Sequence, residues 1–203
     1  MPMHMPNRPD GKPTFHAPDV AAWRDWLARH GETETGLWLI IYRKDSTVPS
    51  IDYPTAVDHA LCYGWIDSKP NKRDAESYFQ YFSPRQPKSN WSRVNKEKIA
   101  RLDAAGLVAP PGQRMVALAK NSGTWTALDD VENLVIDPDL RAAFAAAPPA
   151  ARTNFDAFPR SAKRGILEWI FNAKRPATRA RRIRETVDLA ARNERANQYR
   201  PKR

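Results

Sequence analysis

The part of the sequence richest in chemical groups is a short loop before a predicted helix. It reads Tyr81-Phe82-Ser83-Pro84-Arg85-Gln86-Pro87-Lys88-Ser89-Asn90-Trp91-Ser92 and supplies two cations, three serine hydroxyls, two side-chain amides and an indole. The first-turn amides of a helix form a positive dipole end, so with Arg85 or Lys88 they can hold a phosphate, sulfate or carboxylate. The sequence therefore predicts an anion or partner site made of Ser83, Arg85, Lys88, Ser89, Asn90, Trp91, Ser92 and Asn95.

The same loop has a purely structural interpretation. Ser92 can cap the following helix, and Trp91 can pack into a core. Pro84 and Pro87 can stiffen the turn, while Arg85 forms a salt bridge with the sheet. Loops on rigid scaffolds often carry function, so the sequence does not decide between a binding site and a structural connector.

Two further charged residues are candidates for this site. Lys44 follows a predicted strand, and Asp67 follows a predicted helix in extended chain. We expect them near the same end of the sheet, where they belong either to the anion site or to a plain strand-edge charge pair.

A second group of residues suggests thiol chemistry. His59 and Cys62 lie three apart on one predicted helix, with Asp58 adjacent. A cysteine nucleophile needs a nearby proton acceptor, so this spacing permits an enzyme that uses Cys62 or Asp67. The alternative is that Cys62, between Leu61 and Tyr63, is a small packed hydrophobe.

Metal and nucleotide sites are not indicated. The four histidines are scattered, at His4, His16, His30 and His59, and show no zinc-ligand spacing. Neither a Gly-x-Gly-x-x-Gly run nor a Gly-Lys-Ser/Thr signature occurs among the eight glycines. We therefore expect no metal, no cofactor and no nucleotide-dependent catalysis.

The positive charge is concentrated at one end of the chain. Residues 160–203 hold 14 basic and 4 acidic residues, while the earlier residues hold 19 of each. Arg179, Arg181, Arg182 and Arg184 would surround much of one helix, which permits phosphate contact as a secondary hypothesis. The alternative is a solvated helical face. No nucleic-acid-binding motif is present, and the tryptophans are predicted to be mostly core residues rather than a stacking platform.

The elements that must position these residues follow from capping and apolar spacing. A helix runs from Asp19 to Gly31, and another opens at Pro54. Aromatic and β-branched runs at 36–44 and 77–83 predict two strands, which we expect to pair antiparallel. Helices then start at Ser92, Pro111, Pro138, Ser161 and Pro176, with a break at Pro148-Pro149.

These elements predict an α+β protein, with a small antiparallel sheet packed with helices in its N-terminal part and a helical C-terminal part. We predict a flexible tail at 1–18, an α+β domain at 19–128, a linker at 129–137 and a basic helical domain at 138–203. The single cysteine and the absence of a long apolar run predict a cytoplasmic protein without a membrane span.

Several motifs in series resemble a known family. They are Leu61-Cys62-Tyr63-Gly64-Trp65-Ile66-Asp67-Ser68, Phe82-Ser83-Pro84-Arg85, Lys88-Ser89-Asn90-Trp91-Ser92 with Asn95-Lys96, and Ala173-Lys174-Arg175-Pro176-Ala177-Thr178-Arg179. Their order and spacing are similar to those of the YdeI/OmpD-associated, bacteriocin-protection-like proteins, from about Trp23 to Asn193. The resemblance implies an α+β part joined to a helical part and a role in stress or bacteriocin tolerance, but it supplies no catalytic residues.

Three functional hypotheses result. The first is a non-enzymatic protective or regulatory factor that binds a protein partner or a small anion through residues 83–92. The second is an enzyme that uses Cys62 or Asp67 near the same loop. The third is non-specific nucleic-acid binding by Arg179–Arg184.

Overall fold

The computed structural model describes residues 11–198. The chain divides into two compact units with a boundary between Thr126 and Ala127. Residues 1–10 of the predicted tail and residues 199–203 of the predicted basic domain lie outside the described residues. Within the described range, no helix is long and apolar enough to cross a membrane.

Unit 1 contains a four-stranded sheet with the order β1-β2-β4-β3. Its strands are β1 (Thr14–His16), β2 (Leu37–Tyr42), β3 (Trp65–Lys72) and β4 (Ser77–Pro84). Strand β4 pairs antiparallel with both β2 and β3, as its predicted pairing with β2 required. Strand β1 pairs parallel with β2, so the sheet is mixed rather than purely antiparallel.

Strand β1 lies in the segment predicted to be a loose tail. Phe15 is buried, with its ring centroid 6.4 Å from Trp23 and 6.0 Å from Trp26. The tail prediction is therefore wrong from Thr14 onward, because these aromatic contacts hold a polar-looking segment against the core.

The described part of unit 1 also contains four helices: α1 (Val20–His30), α2 (Tyr53–Cys62), α3 (Arg93–Ala104) and α4 (Pro110–Ser122). Their starts follow the capping rules, since Asp19, Asp52 and Ser92 each accept a hydrogen bond from a first-turn amide. The helices and the inner face of the sheet share one core, built on the indoles of Trp23, Trp65 and Trp91.

Unit 2 is helical. Its helices are α5 (Asp129–Glu132), α6 (Pro138–Ala145), α7 (Pro149–Ala157), α8 (Arg160–Phe171) and α9 (Pro176–Ala191). They enclose a separate apolar core that includes Leu140, Phe155 and Ile166. The α+β fold with a helical C-terminal part is therefore confirmed.

Three details of unit 2 differ from the sequence prediction. The predicted linker contains α5, whose Val131 is buried in the core. Pro149 opens α7 instead of only breaking α6, because proline fits the first turn of a helix. Ser161 lies inside α8, which begins one residue earlier and has no side-chain cap.

Candidate functional site

The loop between β4 and α3 is closed by its own hydrogen bonds. The Ser89 hydroxyl and amide both donate to the Gln86 carbonyl, at 2.8 and 2.9 Å. Ser92 accepts from the Asn95 amide at 3.3 Å and caps α3. Trp91 is buried, Ser83 is half-buried within β4, and Lys88 is exposed. These residues form a structural joint between β4 and α3. The Asn95 amide, one of the first-turn donors of the predicted anion site, is already bonded to Ser92.

Arg85 lies in a different environment from the rest of the loop. It is only 6% exposed, and its guanidinium carbon lies 4.0 Å from the centroid of the Trp91 ring. One terminal nitrogen donates to the Asn90 carbonyl. The predicted salt bridge to the sheet is absent among the described residues, where the Arg85 Nε also has no hydrogen-bond acceptor. Burial lowers the pKa of Arg85 to about 10, which leaves a desolvated cation at neutral pH.

Arg85 is one of the residues that line a cavity of about 260 Å³. The cavity is formed by the end of α1, the turn between α2 and β3, the end of β4 and the start of α4. Its lining residues are Gly31, Glu32, Tyr63, Gly64, Trp65, Pro84, Arg85, Pro111, Arg114 and Met115. We call this cavity the Arg85 pocket.

Strand pairing brings the walls of the Arg85 pocket together. Trp65 on β3 pairs with Pro84 on β4, and the Arg85 amide donates to the Gly64 carbonyl at 2.8 Å. The Trp65 indole donates to the Gly31 carbonyl at 2.9 Å, which ties the end of α1 to the same place. Two motifs of the family resemblance, residues 61–68 and 82–85, thus meet at the pocket.

Gly64 makes the close approach of α4 possible. Its φ of +74° is in the left-handed region, where residues with a side chain are strained. A Cβ added there would lie 2.8 Å from the Met115 Cγ. A larger residue at position 64 would therefore both strain the turn and displace a wall of the pocket.

The mouth of the pocket carries an exposed charge pair. Arg114 and Glu32 form a salt bridge, but their side chains are 61% and 67% exposed. Exposed pairs of this kind contribute little stability and rearrange easily. The pocket thus combines one buried cation, apolar walls such as Met115 and Pro111, and an adjustable polar rim.

Lys44 and Asp67 do not lie near the same sheet end, so that prediction is wrong. Asp67 pairs with Phe82, which is opposite Leu37 at one end of β2. Lys44 follows the other end of β2, roughly 17 Å of strand away. Asp67 accepts a 2.6 Å hydrogen bond from the Tyr53 hydroxyl. Burial and this bond raise the pKa of Tyr53 to about 12.

Cys62 is buried, while its neighbours Asp58 and His59 are half-buried. Cys62 is fully buried, and burial raises the pKa of its thiol. The Arg24 guanidinium lies 3.1 Å from the His59 Nδ1. Burial works to raise the pKa of Asp58, but hydrogen bonds from Lys98 and Arg101 lower it overall. A raised thiol pKa in a closed core favours the packed-hydrophobe interpretation of Cys62.

The arginines at the start of α9 are partly committed to other groups. Arg179 binds Asp137 at 2.5 Å and Asp139 at 2.6 Å. Arg182 donates to the Trp169 carbonyl. Arg181 has a longer contact of 3.5 Å with Glu185, and Arg184 is exposed. Arg179–Arg184 therefore do not form one free cationic face.

Sequence analysis missed most of the pocket. Glu32, Arg114 and Met115 have no local signal, because only the tertiary fold brings α1 and α4 to the end of β4. Gly64 lies in the motif at residues 61–68, and its position after a predicted helix could have indicated a left-handed turn. Residues 11–198 contain no cluster of three or more His, Cys, Asp or Glu side chains suited to a metal ion.

Two family models match the chain. Residues 15–115 match a domain of unknown function (DUF8412), and residues 133–193 match the family described as bacteriocin-protection, YdeI or OmpD-associated. No curated protein and no solved structure matches. The second match confirms the family resemblance, although the motifs at 61–96 lie in the segment covered by the first. The similarity to the family described as bacteriocin-protection, YdeI or OmpD-associated thus lies within the helical unit, at residues 133–193.

Proposed function

We propose that this protein is a bacteriocin-protection-type factor that acts by binding a small anionic ligand in the Arg85 pocket. The observation that carries the proposal is the buried Arg85 guanidinium, which is paired with no carboxylate among the described residues and lines a cavity. An isolated buried cation is costly, and an anion that enters the pocket would supply the missing partner.

The walls of the pocket favour a carboxylate with an apolar body. Apolar surface comes from Trp65, Pro84, Pro111 and Met115. The guanidinium of Arg85 has donors whose spacing fits the two oxygens of a carboxylate. Glu32 at the mouth disfavours a second negative charge on the ligand.

A thermal-shift experiment on the full chain tests this proposal. The panel contains benzoate, a branched aliphatic carboxylate, inorganic phosphate and a dicarboxylate. We expect a monocarboxylate to stabilise the protein most, because a ligand that binds only the folded state stabilises it by about 2.7 kcal/mol at 100 times its Kd. No stabilisation by any compound, or a stronger effect of phosphate, would contradict the proposal.

The matched variants are Arg85→Met and Lys88→Met. Both remove one positive charge from the same loop, but only Arg85 is buried against the pocket. We expect Arg85→Met to abolish the ligand-induced shift and Lys88→Met to keep it. Equal losses in both variants would show a general charge effect rather than binding in the pocket.

A further inference from the structure

Eight arginines of unit 2 fall into two groups of four. Four arginines form ion pairs or hydrogen bonds with other residues of the unit. Arg164 pairs with Glu132 and with Glu168, each at 2.9 Å, and Arg179 pairs with two aspartates. Arg160 donates to the Glu132 carbonyl, and Arg182 donates to the Trp169 carbonyl. These four contribute to holding α5, α6, α8 and α9 together.

Four other arginines face solvent around one concave surface. Arg181, Arg184, Arg192 and Arg195 are exposed and line a groove of about 800 Å³ along the C-terminal part of α9 and the turn that follows it. We call it the α9 groove. Two carboxylates, Glu185 and Asp188, also line it, so the cations are in excess.

The ion pairs of these arginines are weak. The Arg181–Glu185 contact is 3.5 Å and the Arg192–Glu194 contact is 3.4 Å, with both arginines about 60% exposed. Within residues 11–198, Arg184 and Arg195 have no carboxylate within salt-bridge distance. Long, exposed contacts are readily exchanged for a stronger anion, so the groove keeps cations available for phosphates.

The groove also contains an aromatic ring and two amides. Trp169 on α8 is half-buried and lines it, together with Asn197 and Gln198. Arg182 is not part of the lining. Its guanidinium lies 4.9 Å from the Trp169 ring centroid, which helps to fix the indole. Cations around an indole and amide groups are the arrangement that binds single strands, where bases stack on aromatic rings and phosphates meet arginines.

We propose that the α9 groove binds single-stranded nucleic acid, with Arg184 and Arg195 on phosphates and Trp169 against a base. A duplex stacks its bases inside and presents only their edges, so it gains nothing from a recessed indole. Inorganic polyphosphate has no bases that could stack on the indole or form hydrogen bonds with the amides. The proposal is independent of the Arg85 pocket, which belongs to the other unit.

The experiment measures binding of the full chain to a short fluorescent oligo(dT) by anisotropy at several salt concentrations. The test variant is Arg184→Ala with Arg195→Ala. The matched control is Lys174→Ala with Arg175→Ala, which removes the same charge from exposed residues outside the groove. Circular dichroism checks that both variants keep their helix content.

We expect the groove variant to bind at least about tenfold more weakly at low salt, and its salt slope to fall by about 1.4, since each phosphate contact contributes about 0.7 for single strands. The control should stay within about threefold of the parent chain. Equal weakening in both variants would overturn the proposal, because it would reflect net charge alone.

Two competitors test the role of the indole. A DNA duplex and inorganic polyphosphate of matched phosphate content are added to the bound oligo(dT). We expect both to displace it less effectively than unlabelled oligo(dT) does. If either competes as well or better, the assignment to single-stranded nucleic acid is wrong.

Discussion

Arg85 and Arg179 are both arginines that the sequence offered as candidate binding residues, and their surroundings are opposite. Arg179 in unit 2 is held by the carboxylates of Asp137 and Asp139, and the hydrogen bond to Asp139 is the main reason that its pKa is raised. Arg85 in unit 1 is buried on Trp91 without a carboxylate partner among the described residues, and burial lowers its pKa.

This difference shows what makes a cation available to a ligand. The number of arginines in a segment does not decide it, since the basic block around Arg179 is partly neutralised by α6. Arg85, a single arginine in a charge-balanced region, is available because no carboxylate within residues 11–198 reaches it. Arg179 therefore serves stability, while Arg85 is the better candidate for binding.

The largest expected effect concerns the surface on which Arg85 lies. Trp91 is 1% exposed, and its ring centroid lies 5.0 Å from that of Trp125. We expect Trp91→Ala to lower the free energy of unfolding of unit 1 by about 3–5 kcal/mol, through lost burial and a residual cavity. Urea unfolding followed by circular dichroism measures it. A loss below about 1 kcal/mol would contradict the role of Trp91 as a core anchor of the joint.

The second prediction compares the two arginines directly. Arg179→Ala leaves Asp137 and Asp139 without their cation, and we expect a loss of about 1–2 kcal/mol in unit 2. In the absence of ligand, Arg85→Met should change the stability of unit 1 by less than about 1 kcal/mol, because the lost hydrogen bond is offset by removing a desolvated charge.

Hydrogen exchange of peptides from α6 and α9 follows unit 2, and peptides from β4 and α3 follow unit 1. The control for Arg179 is Arg181→Ala on the same helix, which loses only one exposed contact, worth about 0.3–0.5 kcal/mol. If Arg85→Met costs more than Arg179→Ala, Arg85 is a structural residue and the contrast between the two is wrong.

Local signals predicted much of the fold. Asp19 and Ser92 cap their helices as expected, and the aromatic run at 77–83 forms β4, because caps and strand composition act within a few residues. Strand β1 was missed, since it pairs with residues of β2 that are distant in sequence, as Thr14 does with Trp38. Helix α7 was missed because two adjacent prolines were interpreted only as a break.

The candidate site could be predicted only in part. Arg85 was named from the composition of its loop, but its isolation depends on which carboxylates the fold brings near it. Likewise Arg114 and Met115 reach the pocket through the packing of α4, which no spacing in the sequence reveals. Lys44 was misplaced because β2 and β3 run in the same direction, each antiparallel to β4. The end of β2 and the start of β3 therefore lie at opposite ends of the sheet.

The smallest expected effect distinguishes the two units by their response to acid. Burial, followed by the charge of Arg24, lowers the pKa of His59 in unit 1 below its usual 6.5. The unfolded chain then binds more protons just below pH 6.5, so unit 1 loses stability as the pH falls through that range. In unit 2, the hydrogen bond from Arg179 lowers the pKa of Asp139 below 3.8. The contribution of Asp139 to the stability of unit 2 is therefore complete above its usual pKa of 3.8 and is lost only in stronger acid.

We therefore expect acidification from pH 7 to pH 5 to destabilise unit 1 through His59 without touching the Arg179 cluster. The effect is small because the His59 ring is only half-buried. His59→Gln, which cannot titrate, should flatten this part of the pH profile of unit 1 in hydrogen exchange, while the peptides of α6 and α9 keep their protection. An unchanged profile in His59→Gln would show that another group in unit 1 controls the acid response.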